Sequence, residues 1–343
     1  MIWLSWRQFR TSALAGLIAL LAAVVPLLLL GIRLKQSRRS YLASCADAVR
    51  CADALRQYAA EHQNMLLFID AGVLLVPALI GMFWGAPLIA REFETGTHRL
   101  VWSQSIGRRR WFTIKMLVVA AAVVLAVSVL TGMLTWAAGP VDTAAGDRFT
   151  TIVFGARDVV PIAYAVFGFV TGAVLGLVMR RTVPAMALTG LLVIVTQFVV
   201  ANGVRPHLLP PSHETRAMTA SAINELRGLG GLTNRPSVRG LTVPDAWVTS
   251  ASDLRTRDGR TLDPAVFGAC IAPPAPGSSG SGSSGSGGTF GAAADCLGAR
   301  DLHVDVAYQP NRRYWPFQLI ESGLLIGLAM LVGGFGWWRI RRR

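Results

Sequence analysis

PIAYAVFGFVTGAVLGLVM, residues 161–179, is followed after Arg180, Arg181 and Thr182 by VPAMALTGLLVIVTQFVVANGV, residues 183–204. Neither run holds a charged side chain. Each is long enough to cross the roughly 30 Å hydrocarbon core of a bilayer as a helix. Backbone in lipid has to satisfy its own hydrogen bonds, so both runs read as helices and not as irregular chain.

Four more stretches have the same character: Ser12–Ile32, Met65–Ala90, Met116–Ala138 and Pro316–Trp338. Hydrophobic residues make up 52% of the chain and charged residues only 15%, as six such segments require. Core helices of a large soluble protein are shorter and keep a polar face. A cleaved leader is disfavoured, because the apolar run Leu14–Leu30 is long for one and no small-x-small site follows it. The expected fold is an all-α membrane protein of six transmembrane helices. A short N-terminal interfacial helix and a small mixed α/β extracellular domain between helices 5 and 6 complete it.

Six spans put both termini on one side. With the N-terminus inside, the cytoplasmic pieces are residues 1–11, 91–115, 180–182 and 339–343. These short pieces hold 14 of the 33 basic residues, which supports cytoplasmic N- and C-termini. The segment Arg33–Asn64, with Arg33, Lys35, Arg38 and Arg39, runs against that bias. All four cysteines, Cys45, Cys51, Cys270 and Cys296, fall outside, where disulfides persist. Cys45–Cys51 would close a short loop and Cys270–Cys296 would staple a Gly/Ser-rich excursion, but four cysteines allow three connectivities. The net charge of +14 sits at membrane boundaries, where it fixes topology and meets anionic lipid. No basic stripe with interleaved aromatics marks a nucleic-acid site.

Residues 1–11 place Trp3, Leu4, Trp6 and Phe9 among Arg7 and Arg10. This is either a short interfacial helix on the inner leaflet or the ordinary start of the first span. The membrane domain runs over 1–204, an external domain over 205–313, and the last span with a basic tail over 314–343. Within the external domain, Ser212 is expected to cap a helix running to about Arg227 and ended by Gly228, Gly230 and Gly231. Leu241–Ser250 and the alternating Leu302–Tyr308 read as strands, with a tight turn at Asp258–Gly259. GSSGSGSSGSGG, residues 277–288, reads as a flexible tract.

The two lysines, Lys35 and Lys115, do not follow a glycine, so there is no phosphate-cradling loop ending in Lys-Ser or Lys-Thr. There is no HExxH helix and no GxSxG elbow, and the histidines lack metal-ligand spacing. No catalytic residue, metal site or cofactor is expected in this chain. Among the few polar groups within the spans, Asp70 and Glu321 each lie about one and a half turns in, near the outer end. They line a substrate path, pair with an outer arginine or snorkel to the interface. Thr196 and Gln197 either meet substrate or bond a neighbouring helix. Gly168-x3-Gly172-x3-Gly176, Gly81-x3-Gly85 and Gly323-x3-Gly327 are small-residue strips that allow close helix approach, within the subunit or across a dimer.

The long inside loop, REFETGTHRLVWSQSIGRRRWFTIK (91–115), mixes charge with exposed Phe93, Leu100, Val101, Trp102 and Ile106. A helix from about Thr95 would dock its apolar side on a partner or rest on the inner leaflet.

This loop, following PALIGMFWGAPLIA, resembles the region after the second helix in bacterial ABC-2-type permeases of ATP-binding cassette (ABC) transporters. YQPNRRYWPFQLIESG (308–323) resembles the approach to their last helix. The resemblance implies a separate ATPase subunit that binds ATP and Mg, with two permeases and two ATPases per assembly. Glu92, Phe93, Glu94, Thr95, Gly96, Thr97 and Trp102 would then couple to the ATPase. It further implies a bacterial plasma-membrane exporter of a drug, antibiotic, peptide or lipid, with the path between two permease copies. The segment 205–313 is poorly matched. It leaves an alternative, a membrane-anchored receptor or scaffold whose external domain binds a ligand. A membrane enzyme has no residues to name.

Overall fold

The computed structural model describes residues 2–43, 45, 48–95, 108–146, 148–230, 235–243, 246–271 and 290–341. The chain forms two compact units, Met1–Leu208 with Tyr314–Arg343, and Leu209–Arg313.

Among the described residues, the first unit holds six helices long and apolar enough to cross a membrane. The first, Ile2–Ala43, is one unbroken helix of 42 residues. No separate interfacial helix precedes it, because neither glycine nor proline stands before Gly16 to break the run. At 1.5 Å per residue it is about 63 Å long, twice the hydrocarbon thickness. The second span begins at Ala48 and passes through a π-helical turn, Gly81–Gly85, into Ala86–Glu94. Pro77, which lacks an N–H to donate, lies one turn before that turn. The third span is Arg108–Ala145, the fourth Val160–Met179, the fifth Thr182–Val199 with a π turn at Val200–Val204, and the sixth Tyr314–Arg341.

The fourth span is the hub, with 72% of its apolar window buried against 11% for the first. Phe169 and Ala165 pack on Val119, Val123 and Val127 of the third span. Against the second span the approach is backbone to backbone. A Cβ at Gly81 would lie 2.6 Å from the Gly168 carbonyl oxygen, and one at Gly85 would lie 2.5 Å from that of Phe169. In return, one at Gly168 would meet the Pro77 oxygen at 2.6 Å, and one at Gly176 the Ala86 oxygen at 2.5 Å. The two strips therefore mesh within one chain. A Cβ at Gly323 or Gly327 would meet nothing within 4 Å. Phe68, Leu125, Phe198 and Leu331 point outward uncovered, as a bilayer-facing surface does.

The second unit is a three-stranded antiparallel sheet backed by short helices. β1 (Ser212–Ala217) and β4 (Ala246–Ala251) flank the central β5 (His303–Pro310). β2 (Gly228–Leu229) and β3 (Val238–Arg239) form a separate pair. Ser212 thus opens a strand and not the expected helix. Pairing with β5, from Ser212 opposite Tyr308 to Ala217 opposite His303, wins over a weak local signal. The helix that does form, Ala220–Asn224, is capped by Thr219, whose side chain accepts from the Ala222 N–H. The fourth strand starts at Ala246, later than expected. The alternation in β5 buries Val304 and Val306, and Val304 joins a core with Leu254, Leu262, Phe267 and Leu297. Asp258–Gly259 forms the expected turn, closed by the Gly259 N–H on the Thr256 carbonyl at 2.8 Å.

A disulfide joins Cys270 of helix Pro264–Ile271 to Cys296 of helix Gly291–Gly298, with Cα atoms 5.6 Å apart. The other pairing, Cys45–Cys51, does not form. The Cys45 thiol instead donates back to the Tyr41 carbonyl at 3.6 Å, while Cys51 sits within the second span's first helical turns. The Gly/Ser tract 277–288 lies outside the described residues.

Candidate functional site

Two polar assemblies occupy the two ends of the fourth span. At the Met179 end, the second span carries its helix four residues beyond Ala90 and so delivers Glu92 and Glu94 to neighbouring spans. The Glu92 carboxylate accepts from the Lys115 ammonium of the third span. Glu94 accepts from the Thr182 N–H at 2.7 Å and from its hydroxyl at 2.6 Å. Thr182 is the first residue of the fifth span, so this carboxylate satisfies donors that a helix N-terminus leaves open. Between the fourth and fifth spans, Arg180 takes a left-handed conformation with φ 56° and sets its guanidinium 5.3 Å from the centre of the Phe93 ring. Beneath these contacts Ile89, Phe112, Leu177 and Ile340 form one apolar cluster from four spans. Thr95 closes the second span, its N–H donating to the Arg91 carbonyl at 3.0 Å.

At the Val160 end, two arginines are buried with their acids, each of the four at most 2% exposed. Arg157 grips Asp70 with two bonds of 3.0 and 2.9 Å, and donates to Asp142 at 3.1 Å and to the Leu134 carbonyl at 3.3 Å. Arg205 grips Glu321 with bonds of 2.8 and 3.0 Å, while the Tyr164 hydroxyl donates to the same carboxylate at 3.2 Å. The Arg205 guanidinium lies 4.1 Å from the Phe154 ring centre. Gln318 accepts from the Val160 N–H at 3.0 Å and donates to the Phe154 carbonyl at 3.2 Å. These bonds join the second, third, fourth and sixth spans, Arg205 just beyond the fifth, and the C-terminal end of the Thr151–Ala156 helix. Each buried guanidinium faces a carboxylate, which an apolar surrounding requires.

The residues expected from the sequence fall as follows. Glu92, Phe93 and Glu94 sit at the Met179 end with Thr95, and Glu92, Phe93 and Glu94 reach residues beyond the second span. Gly96, Thr97 and Trp102, and the helix expected from about Thr95, lie outside the described residues. Asp70 and Glu321 take the arginine-pairing alternative. They stand in two networks, each carboxylate wholly buried against its arginine. Gln197 donates to the Leu74 carbonyl of the second span at 2.9 Å, the neighbouring-helix alternative, and Thr196 donates to Leu192 within its own helix at 2.7 Å. Sequence reasoning did not identify Arg157, Arg205, Asp142, Tyr164, Gln318, Lys115 or Thr182. The one available signal was the lone acid in each of two spans, since a buried carboxylate demands a counter-charge.

The sequence model of the family described as "ABC-2 membrane transporter related" matches residues 15–205, which carry the first five spans and most of both assemblies. No curated protein and no solved structure matches the chain.

Proposed function

Because the chain belongs to the ABC-2 membrane transporter related family, we propose that it is the membrane-spanning permease subunit of an ATP-driven exporter. The family is a membrane transport component that works in general with an ABC ATPase and is generally not itself catalytic. In this reading ATP and Mg bind a separate subunit, present in two copies. The substrate, an amphiphile, passes between two copies of this chain. The termini and the Met179 end face the cytoplasm of a bacterial cell, and the unit Leu209–Arg313 faces outward.

The observation that carries the reading is the double tie at the tip of the second span. Glu92 holds the third span through Lys115, and Glu94 holds the fifth through Thr182. In sequence, residues 96–107, outside the described residues, join the second span to the third. A push delivered there by an ATPase would move three spans as one body. Glu92 and Glu94 then act as positioning residues that transmit the push, and the intervening segment makes the contact.

The test is co-expression with an ATPase partner in vesicles, comparing Glu92→Gln/Glu94→Gln with the unaltered pair. The variant is expected to co-purify with the ATPase and hydrolyse ATP while losing transport. Unchanged transport per ATP hydrolysed would refute the coupling role. Failure of the unaltered chain to bind any ABC ATPase would refute the permease reading itself.

A further inference from the structure

A cleft of about 590 Å³ opens between the first three spans. That is within the roughly 300–1,000 Å³ typical of small-molecule sites. Its walls are apolar, with Leu27 and Leu30 from the first span, Ile69 and Val73 from the second and Leu130 from the third. Gly72 also lines it, and a Cβ there would meet no atom within 4 Å, so the space beside it is open. One charged residue lines the cleft, Arg33, exposed and one residue past the expected end of the first span. The nearby cations are engaged differently. Lys35 stacks at 3.8 Å on Trp136, and Arg157 is consumed by Asp70 and Asp142. Arg33 has no hydrogen bond or ion pair among the described residues.

A lone guanidinium at the end of an apolar recess asks for an anion with a hydrocarbon tail. Among the described residues, the six-helix unit has no unengaged carboxylate to offer it, either from this chain or from a second copy. Each described one is already taken: Asp53 by Arg56, Glu61 by Tyr41, Asp158 by Tyr314, and the other five by the contacts above. We propose that the cleft binds an anionic phospholipid drawn from the bilayer, its phosphate on Arg33 and an acyl chain against Gly72 and Val73. Arg presents a planar fork that pairs two phosphate oxygens at once, which a zwitterionic headgroup balances with its own cation. The inference needs only that the six helices lie in a bilayer. It stands apart from coupling to an ATPase.

The experiment is native mass spectrometry of the full chain in a non-ionic detergent with equal amounts of phosphatidylglycerol and phosphatidylcholine bearing the same acyl chains. One phosphatidylglycerol should be retained in roughly tenfold preference, the scale of a charge-assisted hydrogen bond. Arg33→Gln should bring the ratio near one, and Gly72→Phe should reduce retention of both lipids. Should the phenylalanine variant fail to fold, Gly72→Leu serves in its place. Equal retention of the two lipids by the unaltered chain, a ratio unmoved by Arg33→Gln, or a lipid-free dimer would each overturn the proposal.

Discussion

Substituting Gly172 by alanine tests the packing on which the bundle depends. The added Cβ would fall on the Gly81 carbonyl oxygen and 2.9 Å from the Ala86 nitrogen. At the neighbouring Gly168 the corresponding approach to the Pro77 oxygen is 2.6 Å. Carbon and carbonyl oxygen settle at about 3.3–3.6 Å, so the second and fourth spans must part by roughly 0.7–1 Å. A gap of that size forfeits about a quarter to a half of each dispersion contact along the seam. Overpacking costs about 1–3 kcal/mol, against which alanine returns up to about 1 kcal/mol of helix propensity. Gly172→Ala should therefore lose about 1–2 kcal/mol. Gly132→Ala and Gly327→Ala, where a Cβ meets nothing within 4 Å, should gain up to about 1 kcal/mol. Reversible unfolding by dodecyl sulfate in mixed micelles, followed by far-UV circular dichroism, reads the difference. If Gly168→Ala and Gly172→Ala proved as stable as Gly132→Ala, the close contact of the two spans would be wrong.

Glu321→Ala should destabilise the bundle by about 3–5 kcal/mol, because it strands Arg205, whereas Arg205→Leu/Glu321→Leu should recover most of that loss; the same unfolding assay reads both. Thr182→Val removes one of the two bonds that Glu94 accepts, and by helix-capping values should cost about 1 kcal/mol. Replacing Cys270 and Cys296 by serine releases a closure spanning 26 residues. Loop entropy puts that at about 3.5 kcal/mol, to be read from the protease susceptibility of the unit Leu209–Arg313 with and without reductant.

The six spans were legible because nothing else in a protein needs about 20 apolar residues in a row. Their ends were not. Residues 33–43 look polar and loop-like, yet the helix continues, held where the Tyr58 hydroxyl donates to the Leu34 carbonyl at 2.9 Å. The glycine strips illustrate the same boundary. Spacing of four shows that a helix has a flat side, but not what lies on it. Gly81 and Gly172 meet each other's spans, while Gly323, identically spaced from Gly327, meets nothing within 4 Å. Asp70 and Glu321 could be picked out as anomalous in apolar runs. Their arginines could not, being 87 and 116 residues away in sequence. Ser212 misled because a cap-forming residue before a polar stretch looks alike whether a helix follows or a neighbouring strand claims it.

The Arg205–Glu321 pair also sets an order on biogenesis. Asp70 is made before Arg157, so the first acid waits for its base until the third span is complete. With Arg205 the sequence is reversed: the base leaves the ribosome 116 residues before its acid. Until the sixth helix arrives, the nascent protein carries a cation that hydrocarbon rejects, and the translocon has to hold that end of the fifth helix near water. The sixth helix is thus the latch of assembly, and a chain stopped short of it presents quality-control proteases with an unneutralised charge.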